Sequence, residues 1–205
     1  MKLFIKNMIS HCSQLMVTSK LNEIGLNPTG ISIGEVELDE KIGSKEKNLI
    51  KVALKKIGLD VLEDKRQILI EKIKNSVIEM IYFVTDRPDT NYSDFISEKV
   101  DYEYSYVSNL FSKETGLTIQ QYIILLKVER AKELIMYDDL NLKEISYSLH
   151  YSSVPHFCSQ FKKVTGITPS YFKSMKEKNR CQLEDVIYQT EHVAALAEVE
   201  HFEHT

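Results

Sequence analysis

Residues 110–122 read LFSKETGLTIQQY, and residues 160–172 read QFKKVTGITPSYF. The two stretches align at an offset of 50 residues, pairing Phe111 with Phe161, Lys113 with Lys163, Thr115 with Thr165, Gly116 with Gly166, Thr118 with Thr168 and Tyr122 with Phe172. A repeat at one fixed offset marks a supersecondary unit used twice.

The residues before each copy define the unit. Asn141-Leu-Lys-Glu144 offers an N-cap with an acid three residues on, and Leu142, Ile145 and Leu149 follow at helical spacing. A break at His150-Tyr-Ser152 precedes a second helix from Ser153 carrying Phe157 and Phe161, with Ser152 as the expected N-cap. Two short helices joined by a tight turn form the helix-turn-helix pattern. At the same offset, Asn91 and Asp94 cap the first copy, and Phe95, Val100, Val107 and Phe111 match Ile145, His150, Phe157 and Phe161.

Between the copies, Thr118-x-x-Gln121 is a capping box. It opens a helix carrying Tyr122, Leu125, Leu126, Val128, Ala131, Leu134 and Ile135 and running to about Tyr137. Some twenty residues at ~1.5 Å each span roughly 30 Å. Successive major grooves on one DNA face are ~34 Å apart, so a rigid spacer of this length suits two recognition helices on one duplex. Thr168-Pro169 opens a last helix with Pro at its first position.

Residues 91–176 resemble the AraC/XylS family of bacterial transcription regulators. The likeness rests on the two helix-turn-helix units, the Arg130-Ala131 pair of the linker helix, and the closing run Phe161-Lys-Lys-Val-Thr-Gly166-Ile-Thr-Pro169. The resemblance implies sequence-specific binding of double-stranded DNA, with RNA polymerase as a candidate second partner. It maps base-reading positions onto Ser105, Ser108 and Asn109 in the first unit and Val154, Pro155 and Ser159 in the second, with His156 beside them. Asn109 has the chemistry to pair bidentately with adenine, and the serines can bond to either base type. His156 reads more readily as a packed or solvated side chain than as a base reader. Lys162 and Lys163 are the expected phosphate contacts. The sequence departs from the family at His150-Tyr151, where a Gly and an aromatic are usual. His adopts a positive φ only at some cost.

The N-terminal third reads as a strand (Lys2–Ile9), a helix (12–24), a second strand around Ile31–Leu38, an amphipathic helix with Leu49, Ile50, Ala53, Leu54 and Ile57, and a third strand at Leu59–Leu62. Ser44-Lys-Glu-Lys47 is its expected capping box. This order fits a small α/β sandwich. It resembles a heavy-metal-associated, ferredoxin-like domain whose Met-x-Cys-x-x-Cys loop has become Met8, Ser10 and Ser13. The remaining His11 and Cys12 cannot close a tetrahedral soft-metal site alone, so no metal and no cofactor are expected. Residues 65–85 read as one helix. Its Ile70, Ile73, Val77, Met80 and Val84 form a short seam, to be packed within the chain or against a second copy.

The expected fold class is thus α+β: a small ferredoxin-like module (1–64), a connecting helix (65–86), an all-α double helix-turn-helix domain (87–178) and an acidic tail (179–205). The net charge of −4 conceals alternating blocks: +2 over residues 1–85, −5 over 86–140, +5 over 141–180 and −6 over 181–205. The basic block favours a nucleic-acid partner, and the acidic first unit an atypical member of the family that residues 91–176 resemble. Three cysteines far apart make no disulfide framework. No apolar run is long enough to span a membrane, and no signal peptide is evident, so a cytoplasmic protein is expected. No Ser-His-Asp set, carboxylate pair or phosphate-cradling loop has a credible context, so an enzyme is not expected. In the tail, His201 and His204 beside Glu200 are a weak candidate metal pair in a mobile acidic extension. The competing reading is a protein-interaction or metal-handling module whose helix-turn-helix pair does not read DNA.

Overall fold

The computed structural model describes residues 1–39, 42–83, 91–137 and 140–175. The tail with His201 and His204, residues 176–180 with Lys176, Lys178 and Arg180, and Val84 of the seam lie outside the described residues. The chain divides into two compact units, Met1–Ser76 and Val77–Thr205.

The first unit runs β1 (Lys2–Lys6), α1 (His11–Glu23), β2 (Pro28–Ser32), β3 (Glu35–Leu38), α2 (Ser44–Lys55) and β4 (Asp60–Leu62). The sheet order is β2-β3-β1-β4, with every neighbouring pair antiparallel. This is the β-α-β-β-α-β arrangement of ferredoxin-like folds. The single strand expected around Ile31–Leu38 is in fact a hairpin. Gly34 turns it at φ 73°, its N–H donating to the Met8 carbonyl and its own carbonyl accepting from Ile5. A Cβ on Gly34 would stand 2.2 Å from Asn75 Nδ2, so close approach and backbone conformation both demand glycine. Ile5, Met8, Val17, Leu21, Val36, Ile50 and Leu54 form the centre of the core.

The hydroxyls of Ser10 and Ser13 have a structural use. Ser10 is the N-cap of α1: its Oγ accepts from Ser13 N–H at 3.2 Å, and Ser13 Oγ accepts from Ser10 N–H at 3.0 Å. This reciprocal pair satisfies two otherwise orphaned donors. His11 and Cys12 are exposed. Among the described residues, no group of three or more His, Cys, Asp or Glu is placed to hold a metal ion. At α2 the N-cap is Gly43 rather than Ser44, and the Glu46 carboxylate reaches back to the Gly43 N–H. Leu49, expected on the apolar face, is exposed. The i,i+4 pair Ile50 and Leu54 is what points inward.

Helix α3 (Lys65–Tyr82) carries the expected seam. Ile70, Ile73, Val77 and Met80 are buried within the chain, together with Leu69 and Ile78.

In the second unit, α4 (Tyr92–Val100) and α5 (Tyr104–Thr115) form the first helix-turn-helix, and α7 (Leu142–Ser148) and α8 (Val154–Thr165) the second. They are separated by α6 (Ile119–Tyr137) and closed by α9 (Pro169–Ser174). α5, α7, α8 and α9 all pack on α6. The repeated motif recurs as geometry. Phe111 meets Tyr122 at 5.6 Å between ring centroids, and the equivalent Phe161 meets Phe172 at 5.8 Å. Gly116 (φ 70°) and Gly166 (φ 79°) end α5 and α8 in the left-handed region. Across each stop, Thr115 Oγ1 donates to Phe111 O (2.7 Å) and accepts from Leu117 N–H (3.3 Å), and Thr165 does the same with Phe161 O (2.8 Å) and Ile167 N–H (3.3 Å). Thr118 and Thr168 then cap the next helices, accepting from Gln121 and Tyr171 N–H. The Thr-Gly-x-Thr run is thus a clip, a left-handed stop and a new cap in four residues.

The 50-residue correspondence fails in the first helix of each pair. Ile96 and Val100 are buried where Ile145 and Leu149 are, an offset of 49, while Phe95 is only half-buried. The left-handed residues that close these helices, Asp101 (φ 58°) and His150 (φ 56°), also lie 49 apart. The first turn is one residue shorter after that point, so Val100 is the counterpart of Leu149 and Asp101 that of His150. At the second helix, Ser153 rather than Ser152 is the N-cap, accepting from His156 N–H.

Urea unfolding of the full chain and of four single-substitution variants tests these roles. Thr115→Val leaves the buried Leu117 N–H without its acceptor and costs about 1–2 kcal/mol. Thr165→Val costs less, because Thr165 is only half-buried. Asp101→Gly relieves a left-handed residue and stabilises by about 0.5–1 kcal/mol, whereas Asp101→Ala destabilises. Equal effects of the two Asp101 substitutions would remove the backbone explanation.

Candidate nucleic-acid interface

α5 and α8 show nearly the same alternation of buried and exposed positions. Val107 and Phe111 face inward on one, Phe157 and Phe161 on the other. Positions 105, 106, 109 and 113 are exposed on α5, and 155, 156, 159 and 163 on α8. With spacing i, i+1, i+4 and i+8, each set lies along one helical face. Of the residues mapped from sequence, Ser105, Asn109, Pro155, His156, Ser159, Lys162 and Lys163 are exposed, and Ser108 and Val154 are half-buried. Nothing here places one of them in the core.

His156 is held rather than merely solvated. Its Nδ1 lies 3.0 Å from Ser152 Oγ, and its ring stands edge-on to Tyr151 at 5.4 Å. The position equivalent to His156 on α5 is Tyr106, which is 50% exposed and stacks at 5.5 Å on Tyr102, itself 52% exposed. The residue-by-residue reading passed over this tyrosine pair. The 50-residue offset, which carries His156 onto Tyr106 and Ser152 onto Tyr102, was the signal that could have found it.

The two copies differ in charge. Around α5, Glu98, Asp101 and Glu103 are exposed, and Lys99 is engaged by Glu79 at 2.8 Å. Lys143, Lys162, Lys163 and Lys173 are all exposed on the second copy. Lys162 and Lys163 sit in the last turn of α8, where they also complement the negative end of the helix dipole.

One cation is internal. Lys127, midway along α6, is only 8% exposed, and its Nζ lies 5.3 Å from the Tyr92 ring centroid and 4.9 Å from that of Tyr151. Burial pushes its pKa down to about 8, leaving it mostly charged near neutral pH. Burial pushes Tyr92 up to about 12, and Tyr151 upward as well, so both phenols stay protonated. Arg130 of the Arg-Ala pair is paired with Glu133 at 2.8 Å and stacked on Tyr82 at 5.2 Å.

Residues 96–175 match the family model described as a helix-turn-helix domain. Among curated proteins, the melibiose operon regulatory protein of Escherichia coli (strain K12) is 24% identical over 192 residues, covering 85% of this chain and 62% of that one. The Msm operon regulatory protein of Streptococcus mutans is 32% identical over 84 residues, 41% of this chain and 30% of that one. An uncharacterized HTH-type transcriptional regulator of Bacillus subtilis, YtdP, is 28% identical over 106 residues, 52% of this chain and 14% of that one. The chain thus spans less than two thirds of the length of each of these relatives. Residues 96–175 are accordingly an AraC-type helix-turn-helix domain.

Proposed function

We propose that this chain is a sequence-specific DNA-binding transcription regulator that lays α5 and α8 in successive major grooves of one duplex. The observation that carries the reading is the matched pair of exposed helix faces, built from one repeated motif on one linker. α6 has 19 residues, about 28 Å at helical rise, commensurate with the ~34 Å groove repeat. Two of the relatives are named as operon regulatory proteins, which fits the same activity.

In this reading Asn109 pairs with adenine, and Ser105, Ser108 and Ser159 bond to base edges. His156 and Tyr106 occupy the equivalent reading position of each copy. Val154 and Pro155 offer shape and apolar contact, suited to thymine methyls. Lys162 and Lys163 hold phosphate. The domain limits 87–178 and 1–64, a sensing or protomer-joining role for the N-terminal module, and contact with RNA polymerase belong to the same proposal. Pairing of two copies through residues 65–85 belongs to the same proposal, and it would use what α3 leaves exposed rather than the buried Ile70, Ile73, Val77 and Met80. The competing reading as a protein-interaction module draws on the exposed acids Glu98, Asp101 and Glu103 beside α5.

Duplexes selected by the full chain from a random pool, titrated by fluorescence anisotropy at rising salt, test the proposal. Affinity falls steeply with salt, because Lys contacts release counterions. Lys163→Ala weakens selected and scrambled duplexes alike and lowers the log–log salt slope by about one. Asn109→Ala costs about 1–3 kcal/mol on the selected duplex and relaxes preference at one base pair. Failure to bind any duplex at ~50 mM salt would end the DNA reading in favour of the interaction module.

A further inference from the structure

The two helix-turn-helix copies meet at one buried cation. Tyr92 is the first residue of α4, in the first copy; Tyr151 lies in the turn between α7 and α8, in the second. Lys127 Nζ lies within 5.3 Å of one ring centroid and 4.9 Å of the other, and among the described residues it pairs with no carboxylate. The hydroxyls of Tyr92 and Tyr151 are both buried without a hydrogen-bond partner among the described residues. Phenol groups left unsatisfied in this way are not what holds these rings in place. Their faces are, because an ammonium withdrawn from water is attracted to the negative face of an aromatic ring. The contact continues outward, since the Tyr151 ring meets His156 edge-on at 5.4 Å and Phe157 at 5.3 Å. A line of contacts therefore runs from α4 through Lys127 and Tyr151 to the exposed face of α8.

We infer that Lys127 is a positioning residue that sets the angle between the two helix-turn-helix copies, clamping Tyr92 of the first and Tyr151 of the second against α6. The charge is the working feature. A neutral side chain of similar length fills the same space without drawing both rings onto one point, and the copies then turn relative to each other about α6. Arginine keeps the charge and stacks on aromatic faces, so it preserves the clamp. The consequence for DNA rests on the function proposed above: a fixed angle lets α5 and α8 address two half-sites only when these are correctly phased along the duplex.

The test uses the full chain with its three cysteines replaced by serine and nitroxide labels on Glu114→Cys and Val164→Cys, equivalent exposed positions of α5 and α8. Dipolar spectroscopy reads the distance distribution between the copies without DNA. The expected result is one narrow distance for the wild type and for Lys127→Arg, and a broadened or split one for Lys127→Met, with helical content by circular dichroism unchanged. A Lys127→Met distribution as narrow as the wild type overturns the inference. Should Lys127→Met not fold, Tyr92→Leu, which removes one ring at the edge of the site, carries the same expectation and the same refutation. A second arm titrates a selected two-half-site duplex, the same duplex lengthened by about half a helical turn, and a single half-site. The wild type prefers the phased duplex by about tenfold or more. Lys127→Met loses that preference while its single-site affinity holds, and Lys127→Arg restores it. Retention of phase preference by Lys127→Met again overturns the clamp. Absence of wild-type binding to every duplex overturns the proposed function alone, because the label distances still decide the clamp.

Discussion

The second unit depends on a helix that is buried around most of its circumference. Ile119, Tyr122, Ile123, Leu126, Val128, Ala131, Leu134 and Ile135 of α6 are all removed from solvent, and they do not fall on a single stripe. A helix with buried apolar residues on several sides is a core element rather than a surface one. The four helices of the helix-turn-helix pairs have 7 to 12 residues, too short to persist alone in water. Each gains its stability by placing its inward pair (Ile96 and Val100, Val107 and Phe111, Ile145 and Leu149, Phe157 and Phe161) in the interior that α6 anchors. This arrangement frees the outward faces of α5 and α8 from structural duty, so residues such as Ser105, Asn109, Pro155 and Ser159 can be chosen for what they touch outside the protein.

The same unit serves twice with different electrical settings. The clip, stop and cap of the Thr-Gly-x-Thr run are conformational devices and recur almost atom for atom. Charge lies on the exposed positions, where the fold is indifferent to it. The first copy surrounds its second helix with Glu98, Asp101 and Glu103, and the second carries Lys162, Lys163 and Lys173. In the proposed function this divides the labour. The second copy supplies most of the sequence-independent attraction, and the first carries the residue with the most discriminating hydrogen-bond pattern, Asn109. The exposed Tyr102–Tyr106 stack adds apolar surface to that side without adding charge.

The N-terminal unit shows a similar separation of scaffold from chemistry. Its split β-α-β topology needs only the alternation of Leu3 and Ile5, and of Val36 and Leu38, the inward pairs of two short helices, and a tight turn at Gly34. Ser10 and Ser13, between β1 and α1, close the N-terminus of α1 with their hydroxyls.

Much of this was legible in the sequence, wherever a local pattern has a local cause. The repeat at 110–122 and 160–172 specified two helix-turn-helices, the Thr118 and Thr168 caps, and the length of the linker helix. The cost at His150 was readable because backbone conformation is a property of the residue itself. The candidate surface was legible in outline, since burial of every third or fourth residue exposes the remainder. Other features were decided only by tertiary structure. Residues 28–38 divide into a hairpin at Gly34, where Asn75, forty-one positions further on, packs where a side chain would stand. The register of the first helix-turn-helix slips by one residue because its turn is shorter, and only the buried positions reveal that. The α3 seam faces inward because the chain itself covers it, which periodicity cannot distinguish from cover by a second copy. Lys127 reads in sequence as an ordinary helix-surface lysine. It becomes internal only when Tyr92 and Tyr151, thirty-five residues before it and twenty-four after it, close over it from either side. A pattern along one helix records which face is apolar, but what covers that face is a fact about distant parts of the chain.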